Sequence, residues 1–198
     1  MRNKVVFENE RWSVDKVISR AREIVSEMRG VGVEGGAGVQ EERNKWRKPS
    51  RGLYKINIDA GLMEGDGFGL GAICRDRGGK VQWGVSVQEG AVREPTVLEA
   101  EAILMGLTEA KEKELKSVEI ESDCLSVIED LRNRRRGRSD LNLIYDDIYA
   151  MCNFFDTLEF SYVRRSGNRV AHELAHARPW SVGKRRWIDV LPMTLMLL

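Results

Sequence analysis

Cysteine is scarce and oddly counted in this 198-residue chain: Cys74, Cys124 and Cys152 stand far apart, with no Cys-x-x-Cys pair. That pattern excludes a disulfide framework and a cysteine-built structural zinc site, and it suits a reducing compartment. No net charge dominates either, because 32 basic residues face 31 acidic ones. No global field therefore announces a polyanionic partner, and any nucleic-acid surface has to be local. Long apolar runs are also missing. The first ten residues hold no core long enough for a signal peptide, and the terminal run Leu-Pro-Met-Thr-Leu-Met-Leu-Leu falls far short of the roughly 20 residues of a spanning helix. No membrane association is expected. There is no internal repeat.

What is present divides the chain in two. Val14, Val17, Ile18, Ala21, Ile24 and Val25 recur at spacings of three and four, which predicts one amphipathic helix over residues 12–28. A glycine-rich stretch at 30–38 then reads as a flexible linker. We expect residues 1–45 to form this helix and linker, and residues 46–192 to form one domain. The helix and the apolar tail are the places for a protein partner.

Within the domain, alternating apolar positions predict three strands at 53–59, 68–75 and 80–87, joined by short glycine-rich turns and hence antiparallel. A helix at 96–114, a strand at 118–122, helices at 125–133 and 141–155, a strand at 158–163 and a helix at 168–178 follow. The order βββαβααβα predicts an α/β fold with a mixed five-stranded sheet and flanking helices. Trp83 belongs to its core.

Three acids stand where regular elements meet. Lys55, Asn57 and Asp59 share the less apolar face of the first strand, Glu99 heads the small-residue face of Ala102, Ile103, Gly106 and Ala110, and Asp123 follows the strand Ser-Val-Glu-Ile-Glu-Ser. Taken singly, each has an ordinary explanation: a strand-end turn, a first-turn acid favoured by the helix dipole, an N-cap. Together they point to a metal site, since converging carboxylates repel one another and need a compensating cation.

Five ordered motifs carry a resemblance. They are Ile-Asn-Ile-Asp-Ala-Gly, then Gly-Leu-Gly-Ala-Ile-Cys-Arg-Asp-Arg-Gly-Gly-Lys-Val, then Glu-Ala-Glu-Ala-Ile-Leu-Met-Gly-Leu, then Ile-Glu-Ser-Asp-Cys-Leu, then Arg-Arg-Ser-Gly-Asn-Arg-Val-Ala-His-Glu-Leu-Ala. Over residues 46–192 the chain resembles the type 1 ribonuclease H domain, in the plant branch related to the ribonuclease H region of non-LTR retrotransposon polyproteins. The resemblance implies a ribonuclease H-like fold and hydrolysis of the RNA strand of an RNA-DNA hybrid. Two Mg2+ ions would activate water and stabilise the departing oxygen. Asp59, Glu99 and Asp123 match the first three metal-holding positions and His172 the fourth.

The chain departs from the pattern at three places. His172 puts an imidazole where an acid is usual, which shifts the expected preference toward Mn2+. Histidine there is common in the plant branch. The usual Asp-Gly-Ser is Asp59-Ala60-Gly61, and the loop before the last helix lacks the histidine that active cellular enzymes carry for product release. Arg164 and Arg165 are placed to grip phosphate instead, and Asn168, one turn before His172, to share in contacts there. Arg132, Arg134, Arg135, Arg136 and Arg138 form the one dense basic cluster, read as a backbone grip on nucleic acid, beside a solvated loop or a nuclear-import patch. His172 and His176 also spell an i, i+4 pair, set aside because no third ligand lies near in sequence. A nucleic-acid-binding domain that has lost turnover is the alternative to a nuclease. The compartment, nucleus or cytoplasm, is not encoded in any recognisable signal.

Overall fold

The computed structural model describes residues 46–63, 67–91, 93–177 and 181–189. The expected helix at 12–28, the linker and the apolar tail lie outside these residues.

Among the described residues six strands build one mixed sheet, in the order β5 (Thr157–Tyr162), β4 (Ser117–Ser122), β1 (Tyr54–Met63), β2 (Gly67–Arg75), β3 (Val81–Glu89), β6 (Gly183–Ile188). β1 (Tyr54–Met63), β2 (Gly67–Arg75) and β3 (Val81–Glu89) form an antiparallel meander. The turn after β2 closes on Asp76, whose Oδ1 accepts the N–H groups of Gly78 and Lys80, with Gly79 at φ +87°. α1 (Pro95–Glu112) then crosses to β4 (Ser117–Ser122), which lies parallel to β1, and β5 (Thr157–Tyr162) runs parallel to β4. Between them come α2 (Leu125–Arg132) and α3 (Asp140–Cys152). A 3-10 turn, Arg165–Gly167, leads into α4 (Arg169–Ala175).

Two expectations are corrected. The sheet has a sixth strand, β6 (Gly183–Ile188), antiparallel to β3. Its sequence Gly-Lys-Arg-Arg-Trp-Ile hides the usual alternation because one face is cationic: Lys184 and Arg186 both pair with the buried Glu109 of α1. The other correction is that β1 does not end at Asp59. It continues through Met63, paired with Gly67–Gly71 of β2, so Asp59 is an interior strand residue.

Period-two alternation gives the sheet two unlike faces. Ile56, Ile58, Phe68, Leu70, Ala72, Trp83, Val85, Val118 and Ile120 point to α1, α2 and α3 and form the main core, with Trp83 in it as expected. The opposite face carries Lys55, Asn57, Asp59, Ser86, Gln88 and Glu121, all buried, and there Ile73 of β2 packs against Val170, Ala171 and Leu174 of α4. Glycines let α4 sit against the strands. A Cβ on Gly71 would stand 2.2 Å from the Ala171 carbonyl oxygen, and one on Gly69 1.8 Å from that of Ala175. Gly71 is also the cross-strand partner of Asp59, so this close approach delivers α4 to the acid.

Candidate metal and nucleic-acid site

Oxygen atoms of Asp59, Glu99 and Asp123 lie within 4.8 Å of one another, each brought by a different element. Asp59 comes from β1 and is 2 % exposed. Asp123 follows β4, which ends beside Ile58, and β1 runs on past it. Glu99 reaches in from the second turn of α1, where Ser122 Oγ donates to it at 3.4 Å and the Ala60 N–H also points at it.

The ordinary explanations of these acids fail one by one. Asp59 is within a strand, not a turn. The first turn of α1 holds no acid, so Glu99 is too far along for the dipole. Asp123 does not cap α2: Cys124 is the N-cap residue, and its N–H is taken by Ser122 Oγ at 3.0 Å.

Electrostatics shows the strain of this convergence. Burial, then the charges of Glu99 and Asp123, push Asp59 up to about 9. Burial, then Asp123, pushes Glu99 up to about 8. In the absence of a cation these groups keep protons at neutral pH, and a bound cation has to displace them. The donors are hard carboxylate oxygens on rigid elements, a set that fits a divalent ion such as Mg2+ or Mn2+.

His172, expected at the fourth position, meets one of the three acids. Its Nδ1 lies 2.9 Å from Asp59 Oδ2. That distance would suit an ion pair, yet burial, followed by His176 and the Arg165 guanidinium, pushes His172 down to about 4. We therefore read the contact as a hydrogen bond of a neutral imidazole. Arg165 Nη2 sits 3.1 Å from Nε2 of the same ring and lowers both acids' hold on protons, so it stands as the resident cation of the site.

Asn168 is buried, 1 % exposed, and its amide is fully engaged. Nδ2 donates to Ile58 O at 2.7 Å and to Asp123 Oδ1 at 2.9 Å, while Oδ1 accepts from Asn57 Nδ2 at 3.3 Å. Its observed role is to aim Asp123. Behind it runs a polar chain that the sequence reading missed. Asn57 Nδ2 donates to Glu121 Oε2 at 2.9 Å, Lys55 Nζ to Glu121 Oε1 at 2.5 Å, and Trp46 Nε1 to Asn57 Oδ1 at 2.9 Å. Lys55 also pairs with Glu119 at 3.4 Å, and Arg75 stacks its guanidinium over Trp46. The signal was there: Lys55 and Asn57 alternate with Asp59, and Glu119 and Glu121 alternate with Asp123, so both strands aim one polar face at one place.

The other basic residues are placed differently. Arg164 lines a surface groove with Arg47, Lys48, Lys55, Glu119, Glu121 and Tyr162, a lining that holds none of the three acids. Arg134, Arg135 and Arg136 lie past the far end of α2, about 12 Å of helix from Asp123. Arg135 pairs with Asp130 at 3.0 Å, Arg136 with Asp146 at 3.6 Å, and Arg134 adopts a left-handed φ of 51°. All three are exposed.

The fold is that of a ribonuclease H-like domain. The chain belongs to the family described as reverse transcriptase-like, whose model matches residues 57–178. It is similar in structure to ribonuclease H1 of the archaeon Halobacterium salinarum, with a TM-score of 0.58 at 17% identity over 63% of this chain and 95% of that one. It is also similar to the N-terminal ribonuclease H domain of a Mycobacterium tuberculosis protein, with a TM-score of 0.57 at 23% identity, covering 63% and 91%. A ribonuclease H1 isolated from compost, solved in complex with an RNA/DNA hybrid, gives 0.56 at 20% identity, covering 62% and 94%. Among curated proteins none matches by sequence. No helix among the described residues is long and apolar enough to cross a membrane.

Proposed function

We propose that this domain binds RNA-DNA hybrids and hydrolyses their RNA strand, using divalent cations held by Asp59, Glu99 and Asp123 with His172 at the fourth position. The observation that carries this reading is the convergence of three carboxylates from β1, α1 and β4 within 4.8 Å. Bound divalent ions would supply an activated water and stabilise the oxygen that leaves phosphorus. The chain's own residues do the rest. Asn168 holds Asp123 Oδ1 and fixes its carboxylate plane. Ser122 and the Ala60 N–H hold Glu99. Arg165, already drawn to the acids, is the group to meet the substrate phosphate, and Arg164 with Lys48 and Arg47 extends a cationic track along the groove.

A second reading rests on His172. An imidazole that shares a hydrogen bond with Asp59 and faces Arg165 replaces a hard oxygen donor with a softer nitrogen, and a domain so built can bind hybrid without cutting it. The test is cleavage of a labelled hybrid in Mg2+ and in Mn2+ by the wild type, Asp59→Asn and His172→Asp. The nuclease reading expects cutting by the wild type, faster in Mn2+, and loss of roughly a hundredfold or more in Asp59→Asn, as for removal of one strong transition-state stabiliser. A wild type inert in both metals, with activity appearing only in His172→Asp, establishes the binding domain instead.

A further inference from the structure

We propose that Asp59, His172 and His176 form a separate cation position, selective for an imidazole-preferring first-row divalent ion such as Zn2+, that shares Asp59 with the carboxylate set. Ligand atoms of these three side chains lie within 4.8 Å of one another. Sequence spacing alone offered only the two histidines. The fold supplies the third ligand from a strand more than a hundred residues away.

The arrangement around His176 is that of a ligand held ready. Its Nδ1 lies 2.9 Å from the His172 carbonyl oxygen, so Nδ1–H donates there and Nε2 keeps its lone pair. A carbonyl holding the non-ligating nitrogen is the usual support of a metal-bound histidine. Nε2 lies over the backbone of Gly61, where a Cβ would come within 2.2 Å of it. Gly61 is on the same strand face as Asp59, two residues on, so the open space above this glycine is what lets the ring reach toward the acid. The rings of His172 and His176 lie 4.1 Å apart, tilted by 51°, and His172 Nδ1 is 2.9 Å from Asp59 Oδ2. That separation is close to the roughly 3.0–3.4 Å between two ligand atoms bound at about 2.0–2.2 Å to one ion.

Two nitrogens and one oxygen suit Zn2+ or Co2+ better than Mg2+, and three protein ligands leave a position open. Because Asp59 would serve both sets, an ion here withdraws it from the carboxylate set. Zinc is then an antagonist of magnesium in this domain. The site itself stands on His176 and does not depend on whether the domain cuts hybrids.

The test uses the full chain without a histidine tag, titrated with Co2+ or Zn2+ alone. Expected are visible Co2+ absorption bands discharged by Zn2+, and shifts of both histidine rings in nitrogen NMR on adding Zn2+. His176→Gln should weaken Zn2+ at least tenfold, the lower end of what lost metal-site groups cost, and leave Mg2+ affinity unchanged. Glu99→Gln should do the reverse. Melting curves check that both variants fold, and the ring shifts in the wild type decide the matter if one does not. Zn2+ binding that His176→Gln leaves intact, or rings that do not respond to Zn2+, overturns the proposal. Inactivity on hybrid with His176-dependent Co2+ bands overturns only the nuclease reading.

Discussion

On one face of the sheet, Ile56, Ile58, Val118 and Ile120 vanish under three helices; on the other, Lys55, Asn57, Asp59 and Glu121 are buried too, where α4, Trp46 and Arg75 are the neighbours. The strands are the same and only the parity of the residue differs. The apolar face lowers free energy directly, by roughly 25 cal/mol for each Å² removed from water. The polar face costs desolvation, and Lys55, Asn57 and Glu121 are tolerated there because each meets a named partner. A buried carboxylate crowded by other acids, as at Asp59 and Glu99, answers by holding a proton or a cation. Stability and chemistry are thus segregated across one layer of strands.

The comparison breaks first, and most severely, at the ion pair. Lys55→Met leaves Glu121 buried and unpaired and should cost about 3–5 kcal/mol in urea unfolding, while the double change Lys55→Met with Glu121→Leu recovers most of it. If the single change is harmless, the polar face is not held by its pairs. On the opposite face Ile120→Ala should cost about 2–5 kcal/mol through its cavity, yet leave cation affinity unaltered in calorimetric titration. An affinity loss there would mean that the two faces are not independent.

Gly71→Ala probes the seam. Its Cβ meets the Ala171 carbonyl, which is backbone and cannot swing aside, so α4 has to lift. About 1–3 kcal/mol of stability should go, together with cation affinity, because His172 and Asn168 ride on that element. Retained affinity would show that α4 does not position the site.

The smallest expected effect is on pH. Asp59 and Glu99 have folded values raised to about 9 and about 8, above those of the unfolded chain. Stability from these groups is therefore full below about pH 4 and falls as pH rises toward 8 or 9. His172 has the opposite sense: lowered to about 4, it contributes above about pH 6.5 and loses that contribution as pH falls through 4. In metal-free buffer at pH 8, Asp123→Asn relieves repulsion of about 1–2 kcal/mol and should raise Tm by roughly 2–8 °C. Divalent cation should stabilise the wild type more than this variant. An unchanged Tm would mean that the acids do not repel.

Most of the frame was legible from residues alone. Alternation in Leu-Tyr-Lys-Ile-Asn-Ile-Asp and in Ser-Val-Glu-Ile-Glu-Ser-Asp marks both strands and the outward parity of their acids, because a strand has a fixed period of two. The small-residue spacing after Glu99 marks the buried face of α1 for the same kind of reason. β6 escaped because one face of it is Lys184 and Arg186, whose place in a strand makes sense only once the buried Glu109 is known to pair with them. The continuation of β1 past Asp59 escaped because Ala60-Gly61 reads as a turn until Gly69 is seen to pair with it.

The sequence by itself determined the fold and the identity of the three acids, since periodicity and motif order are local properties of the chain. Only the tertiary structure decided what surrounds them. That Asn168 is buried against Asp123, that Arg165 lies on His172, and that His176 has Asp59 as a neighbour depend on how closely α4 approaches β1 and β2. Three glycines on two strands set that distance, and no single stretch of sequence contains it.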